Sequence, residues 1–450
     1  MNESFSKNGM FDTPVGELHG RLTLDADDSL LELWDTKYPW GPDGITNFSP
    51  IKGILEDQKH VSLFEFAWVR MGGAFGPTGD TSHYSLFPLF AVVGATPFGG
   101  KISQISFNVD DAEVIFYDQE AFGCLGFGQE KKARTILRNA GIDTGDPPNA
   151  PYLTYWTGKG VILSADASPG KVSVWNSPTL ASTSETAVAK MTNRVVVSVK
   201  FPEPVTEMRD LWKIVSRFTR FLGIVAGRPQ NILALRIIDD ESTDPSSWDV
   251  YFPTFPQRSE EDENEKPTRR GPLVDAADKP DDFSRLMVNW LEKDKDDARH
   301  RARVRFFNGW SKQRRYDEGR LIGAASVFDL LPREAHPAAR AKLHKKVKHR
   351  AASIGHGLPE IDFVIDAAVE LRNEYVHGPR PNREPWAVSG KTLIFLTQTL
   401  EFIFVVAELH ESGWDFQSWE RGGRHPITEY LVGYDENLAQ LKEEKARRRR

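Results

Sequence analysis

The chain has 450 residues, 40% of them hydrophobic and 27% charged, with a formal net charge of −7. It is too long for one comfortable core, so two or three domains are expected, and its composition is that of a folded globular protein, not a disordered one. The only cysteine, Cys124, excludes an intrachain disulfide and a cysteine-rich zinc site, and fits a reducing cytoplasm.

Residues 1–20 carry Asp12, Glu17 and scattered polar groups instead of a basic start and an apolar run, so no secretory leader is expected. From residue 11 to about 205 the chain reads as short strands. Leu30, Leu31 and Leu33 lead into Trp34, and Val61 to Phe66 alternates. Ile102, Ile105 and Phe107 precede a turn at Asp110–Asp111, with Val114 to Tyr117 expected as the following strand. Lys171 to Trp175 and Arg194 to Lys200 alternate again, rich in β-branched residues. Many strands between Gly, Pro and Asp turns predict a twisted antiparallel sandwich or open barrel. Trp34, Trp40, Tyr155, Trp156 and Trp175 are read as sheet core and Cys124 as a buried structural thiol. Gly123, Gly126 and Gly128 do not make a phosphate loop: no Lys-Ser/Thr follows, and no strand-to-helix setting is expected.

The pattern changes at Pro202. Met208, Leu211, Trp212, Val215, Phe218, Phe221, Leu222 and Val225 recur at spacings of three and four, a helix near 205–226 packed on one side and stopped by Gly227 and Pro229. Ile232 to Ile238 reads as one more strand returning to the first domain. Residues 257–282 read as a linker or exposed loop: Ser259 to Glu265 is nearly all acidic, and Lys266 to Arg270 is basic and proline-punctuated. Helices then follow: one capped by Asp281 or Asp282 through Trp290, one over roughly 296–308, one over 316–331, a basic stretch over 336–352, one over 360–377 headed by Pro359, and a long apolar one over 389–409. The apolar stretches Phe87–Val93 and Leu400–Ala407 are too short or interrupted to span a bilayer, so no membrane is expected. Residues 442–450 form a basic tail. Residues 281–450 hold 30 Lys/Arg against 26 Asp/Glu, whereas residues 1–280 hold 27 against 38, so a polyanion is better accommodated by the second part.

The chemistry-bearing segment is Glu370 to Gly378. Ile361, Val364, Ile365, Ala368 and Leu371 mark a buried stripe, which places Arg372 and His377 at the end of a core helix, a rigid platform for polar groups. Five residues at about 100° each set the two side chains about 140° apart, while Asn373 shares the face of His377. The pair meets one substrate only if the last turn distorts, the arginine reaches round, or a second subunit completes the site. A neutral histidine can take the proton of a ribose 2'-hydroxyl for attack on the adjacent phosphorus, and arginine can steady the charge on the phosphate oxygens, with no metal. The same spacing arises by chance, with His377 merely capping its helix. Asp317, Glu318 and Asp329 are the acidic residues of the helix over 316–331, and Asp329, which follows Phe328 in a buried-looking stripe, either supports the site by orienting a catalytic partner or caps the turn at Leu331–Pro332. Lys345, Lys346, Lys348 and Arg350 are expected to hold RNA backbone, or else to form a solvated face. His344, His349 and His356 have no metal-ligand spacing, so neither metal nor cofactor is expected.

The stretch Leu371-Arg372-Asn373-Glu374-Tyr375-Val376-His377-Gly378 resembles the R-x(4-6)-H signature of the HEPN superfamily, helical and often homodimeric, with many ribonucleases. Through Gly16–Gly20, Ile51–Gly53, Val93–Gly94, Val195–Val197 and Trp212–Gly227, the chain also resembles ApeA-type abortive-infection proteins. The resemblance implies an α+β multidomain fold: a β-rich amino-terminal sensor or regulatory domain over 1–256, then an all-α HEPN-like ribonuclease bundle over 283–441. It further implies a homodimer or higher homo-oligomer in the cytoplasm that senses a phage protein and cuts host RNA, transfer RNA included. The alternatives are a helical dimerisation and protein-binding module without catalysis, or an antitoxin-like partner.

Overall fold

The computed structural model describes residues 4–448 apart from 15, 26–27, 36–49, 75–80, 119, 127, 144–150, 152, 184–187, 240–245, 253–271, 275, 277–278, 313–315, 339, 355–356, 380, 382–383, 416–424 and 426–429. Trp40, His356, residues 257–271 of the expected linker and the last two arginines lie outside the described residues.

Six strands open the chain: β1 (Phe5–Thr13), β2 (Gly16–Leu24), β3 (Leu30–Asp35), β4 (Ile51–Leu55), β5 (His60–Ala74) and β6 (Thr81–Gly94). They pair antiparallel in the order β6-β3-β2-β1-β4-β5, and β5 pairs again with β6. The barrel is therefore closed, not open. Closure rests on β6, which takes β3 along Ser82–Leu86 on one edge and β5 along its full length on the other. Phe11, Leu22, Leu31, Leu33, Ile51, Leu63, Tyr84 and Leu86 fill the interior.

Two glycines of the amino-terminal resemblance now have a physical reason. Phe11 of β1 lies between Gly20 on β2 and Gly53 on β4. A Cβ on Gly53 would stand 2.6 Å from Phe11 Cδ1, and one on Gly20 would stand 2.9 Å from Phe11 Cδ2 and 2.6 Å from the Glu32 carbonyl oxygen. The ring occupies the space that two side chains would need. Gly53→Ala is expected to destabilise the protein by about 1–3 kcal/mol through overpacking, read as a lower urea midpoint at unchanged slope.

The second sheet contains β7 (Ile102–Val109), β10 (Val161–Ala167), β11 (Gly170–Thr183), β12 (Val188–Val205), β13 (Ile232–Asp239) and β14 (Ser246–Tyr251). Its order, β10-β11-β12-β7-β13-β14-β6, makes β6 common to sheet and barrel. The strand at 232–239 does return to the first region, between β7 and β14. Val114–Tyr117 is not a strand: Ala112–Ile115 is the short helix α1, whose Ala112 and Ile115, three residues apart on one face, are buried. β8 (Phe122–Leu125) and β9 (Leu153–Trp156) form a hairpin. Helix α2 (Glu130–Asn139) follows β8, so the glycine segment does have a strand-to-helix setting. The Glu130 carboxylate already accepts the Gly128 amide at 2.9 Å, which places negative charge where a phosphate would have to sit. Cys124, Trp34, Trp156 and Trp175 are exposed, not core, since the layer that would cover those faces is not supplied by any described element.

Helix α3 (Met208–Ala226) buries the apolar stripe read from its spacing. It lies between the sheet, through Phe107 against Phe218, and α4 (Pro280–Lys293), through Phe221 against Phe283 and Trp290. Pro280 opens α4, with Asp281 and Asp282 in its first turn. The described end of the expected linker is docked: Leu273 and Ala276 are buried, and the Leu273 amide donates to the Val225 carbonyl. The remaining helices are α5 (Asp297–Lys312), α6 (Glu318–Leu330), α7 (Leu343–Ser353), α8 (Ile361–His377), α9 (Gly390–Glu411) and α10 (Tyr434–Arg448). Helix α9 is the axis of the bundle, touching α4, α6, α7, α8 and α10. It is long and apolar enough to cross a membrane, but 78% of its apolar window is buried inside the fold. The barrel has its own core, whereas the second sheet, α3 and the helices share one continuous apolar cluster from Phe90 to Leu441.

Candidate active site at the end of helix α8

Val364, Ile365, Ala367, Ala368 and Leu371 are buried against the bundle and fix α8 in rotation. His377 is its last residue. Gly378, at φ 78°, ends the helix in a left-handed conformation, with its amide donating to the Glu374 carbonyl at 2.8 Å. His377 and Asn373 are exposed and Arg372 is half-buried. The Arg372 guanidinium bends round the helix: its Nη1 donates to Asn373 Oδ1 at 3.0 Å. Asn373 is one turn before His377 on the same face, so the long arginine is turned toward the face that His377 occupies. Arg372 Nε is buried and has no hydrogen-bond partner among the described residues.

Helices α6 and α8 pack with opposed ends together. Glu318, in the first turn of α6, adds to the burial that pushes the Tyr375 hydroxyl up, so its charge is felt at the last turns of α8. The same end of α6 is anchored by Asp317, which caps it, and by Arg320, whose fork grips Glu401 of α9 at 2.6 and 3.0 Å. Burial pushes the Glu401 carboxyl up while Arg320 pulls it back toward the charged form. Asp329 is eleven residues further along, about 16 Å at the helical rise. There it is exposed and bonded to Lys346 of α7 at 2.8 Å. The structure does not bring Asp329 to the motif; of the three acidic candidates, Glu318 is the one whose charge acts on a motif residue, Tyr375. Eleven residues bring Asp329 back to nearly the same face as Glu318, so only the axial rise separates them, and it does so once the antiparallel pairing of α6 and α8 is known. Asp329→Asn is accordingly expected to leave any cleavage activity unchanged and to alter stability by no more than about 1 kcal/mol; matched cleavage and melting measurements check this.

The basic stretch is largely spent within the fold. Arg350 is 1% exposed and pairs with Glu408 and Glu411, so it cannot hold RNA backbone. Lys346 is bonded to Asp329, and Lys348 to Asp366 at 2.8 Å. Lys345 remains exposed. The expected basic tail is also engaged, since α10 carries it as far as Arg448. Lys445 binds Glu370 at 3.0 Å, Arg448 binds Glu374, and both lie over the Trp386 ring. These pairings fall on α8 itself and hold its terminal turns against α10.

Residues 6–290 match the ApeA N-terminal domain 1 family, and residues 288–417 match the Apea-like HEPN family. The chain belongs to the ApeA family. The two ApeA matches meet within α4, and the HEPN match contains α8 with Arg372 and His377 while ending before α10. ApeA-like HEPN domains belong to an abortive-infection and defence nuclease family, which is the general functional class of this chain. No curated protein and no solved structure matches it.

Proposed function

We propose that the chain is an anti-phage abortive-infection effector whose helical half cuts host RNA, transfer RNA among its targets, after the β-rich half senses a phage protein. The observation that carries the reading is the bent Arg372 guanidinium, turned onto Asn373 on the face of exposed His377, with a buried Nε lacking a partner. An orphaned charged donor is unfavourable unless something completes it, and an RNA phosphate is an acceptor of suitable charge and shape. His377 takes the 2'-hydroxyl proton, the oxygen attacks phosphorus, and Arg372 steadies the non-bridging oxygens. The products are a 2',3'-cyclic phosphate and a free 5'-hydroxyl; DNA lacks the attacking group. No step needs a metal or cofactor.

A protonated acid is also needed for the leaving 5'-oxygen, and a second histidine from a partner subunit supplies it in a homodimer. Val376 and Ile394 support that arrangement: both are large apolar side chains left exposed at this end of α8 and α9.

The test is to incubate the protein, with lysate from phage-infected cells as trigger, with a mixed RNA pool in EDTA. EDTA-resistant cutting that leaves cyclic-phosphate ends supports the nuclease reading. RNA left intact by a chain that still protects cells in plaque assays would instead favour the non-catalytic binding module.

A further inference from the structure

At the seam between the two matched regions lies a buried group of charges that does not balance. Asp294, at the end of α4 and 1% exposed, is the shared partner of Arg217, Arg220, His300 and Arg303. Next to it, Glu408 and Glu411 of α9 serve Arg299, Arg303 and Arg350. The arginines thus outnumber the carboxylates in this cluster. Arg303, 0% exposed, stacks on Trp290 at 3.6 Å and donates through Nε and Nη1 to Glu408, the Trp290 carbonyl and Asp294, while its Nη2 lies 2.9 Å from Glu408 without a hydrogen bond among the described residues.

On α3 the donors left over lie nearer the surface. Among the described residues, Arg217 Nε is buried without a hydrogen bond although 3.0 Å from Asp294 Oδ2, and Arg220 Nη2 is buried without one, 3.7 Å from the same oxygen. Arg217 and Arg220 are three residues apart and so share one face of α3. Their side chains are 24% and 13% exposed, which leaves an edge open to solvent. A guanidinium withdrawn from water beside like charges is strongly disfavoured unless an anion neutralises it. Burial, with Arg217 and Arg303 adding to it, lowers Arg220 to about 10.

We infer that Arg217 and Arg220 form a binding site for a phosphate group, presented over Asp294 at the seam of α3, α4 and α5. Two planar forks on one helix face suit the oxygens of a tetrahedral oxyanion. Asp294 orients the forks from beneath. A ligand held there touches α3, inside the amino-terminal match, and its two arginines connect through Asp294 and then Arg303 to Glu408 on the axial helix of the HEPN match. The inference is independent of the nuclease reading, since binding is measured without RNA.

The experiment titrates inorganic phosphate into the full chain by calorimetry and by thermal melting at constant ionic strength in chloride, with Arg220→Gln and Arg217→Gln alongside. Adenosine monophosphate forms a second arm. Saturable phosphate binding, weakened at least about tenfold in each variant, with both variants as stable as the parent in chloride alone, is the expected result. Stronger binding of the nucleotide than of phosphate would assign the site to a phosphate monoester; the reverse would assign it to the free anion. A parent melting rise that is non-saturating and equal in all three chains is the general effect of an excluded salt and overturns the site. Loss of folding in chloride on replacing either arginine also overturns it, because the arginine then serves the fold.

Discussion

Arg372→Ala and His377→Ala each lower RNA cleavage about 100- to 10,000-fold, the range for removing a general base or a preorganised charge donor. Neither change should lower the melting temperature appreciably, because His377 is exposed and Arg372 is half-buried and hydrogen-bonded to its neighbour Asn373. Equal melting curves with lost cleavage separate a chemical role from a structural one. Mixing the two inactive variants tests how the subunits share the site. A site built from both histidines recovers no activity on mixing, because a mixed dimer carries a single His377. Recovery of up to about a quarter of parental activity would overturn it in favour of sites that take the arginine from one subunit and a single histidine from the other.

Glu408→Ala has the largest expected effect on stability. The side chain is 0% exposed in the last turn of α9 and receives Arg299, Arg303 and Arg350 at 2.8 to 2.9 Å. Its removal leaves three buried guanidinium groups short of a counter-charge, a loss of about 3–5 kcal/mol, measured as a fall in urea midpoint. Burial alone would push the Glu408 carboxyl up, but the three arginines together hold it below the usual glutamate value. A carboxyl lowered in the folded state contributes stability that is complete above its unfolded value of about 4.3 and disappears as pH falls through the folded one. Stability of the parent should therefore drop steeply below about pH 4, and the Glu408→Ala chain should show a shallower acid slope.

Helix α3 shows why some elements could be read directly. Met208, Leu211, Val215, Phe218, Phe221, Leu222 and Val225, picked out by spacing, are all buried, because a packed face imposes the 3.6-residue period on the sequence; Ile214, Thr219, Gly223 and Ile224 are buried as well, because α3 lies between the sheet and α4 and not on one side only. The motif segment was legible for the same reason: the stripe from Val364 to Leu371 fixes the rotation of α8 and hence the places of Arg372, Asn373 and His377. Arg350 shows the opposite case. In a run of lysines it looks like part of a basic face, and only the approach of Glu408 and Glu411 from a helix about sixty residues away in sequence makes it a core residue. Trp34, Trp156 and Trp175 fail similarly, since their aromatic character is the same whether or not a layer covers them.

The sequence by itself determined the class of the fold, a β-rich first part and a helical second part, together with the family and the helix that presents Arg372 and His377. Those features are local: periodicity, turn residues and a short motif are written within a few turns of chain. The tertiary structure alone decided the rest. It closed the barrel through the two edges of β6, joined sheet and helices in one apolar cluster, turned Arg372 onto Asn373, and brought the charge of Glu318 rather than Asp329 to bear on Tyr375. It also placed the arginine cluster at the seam. Each of these depends on which distant segments meet, and pairing between distant segments leaves no periodic trace in a single chain.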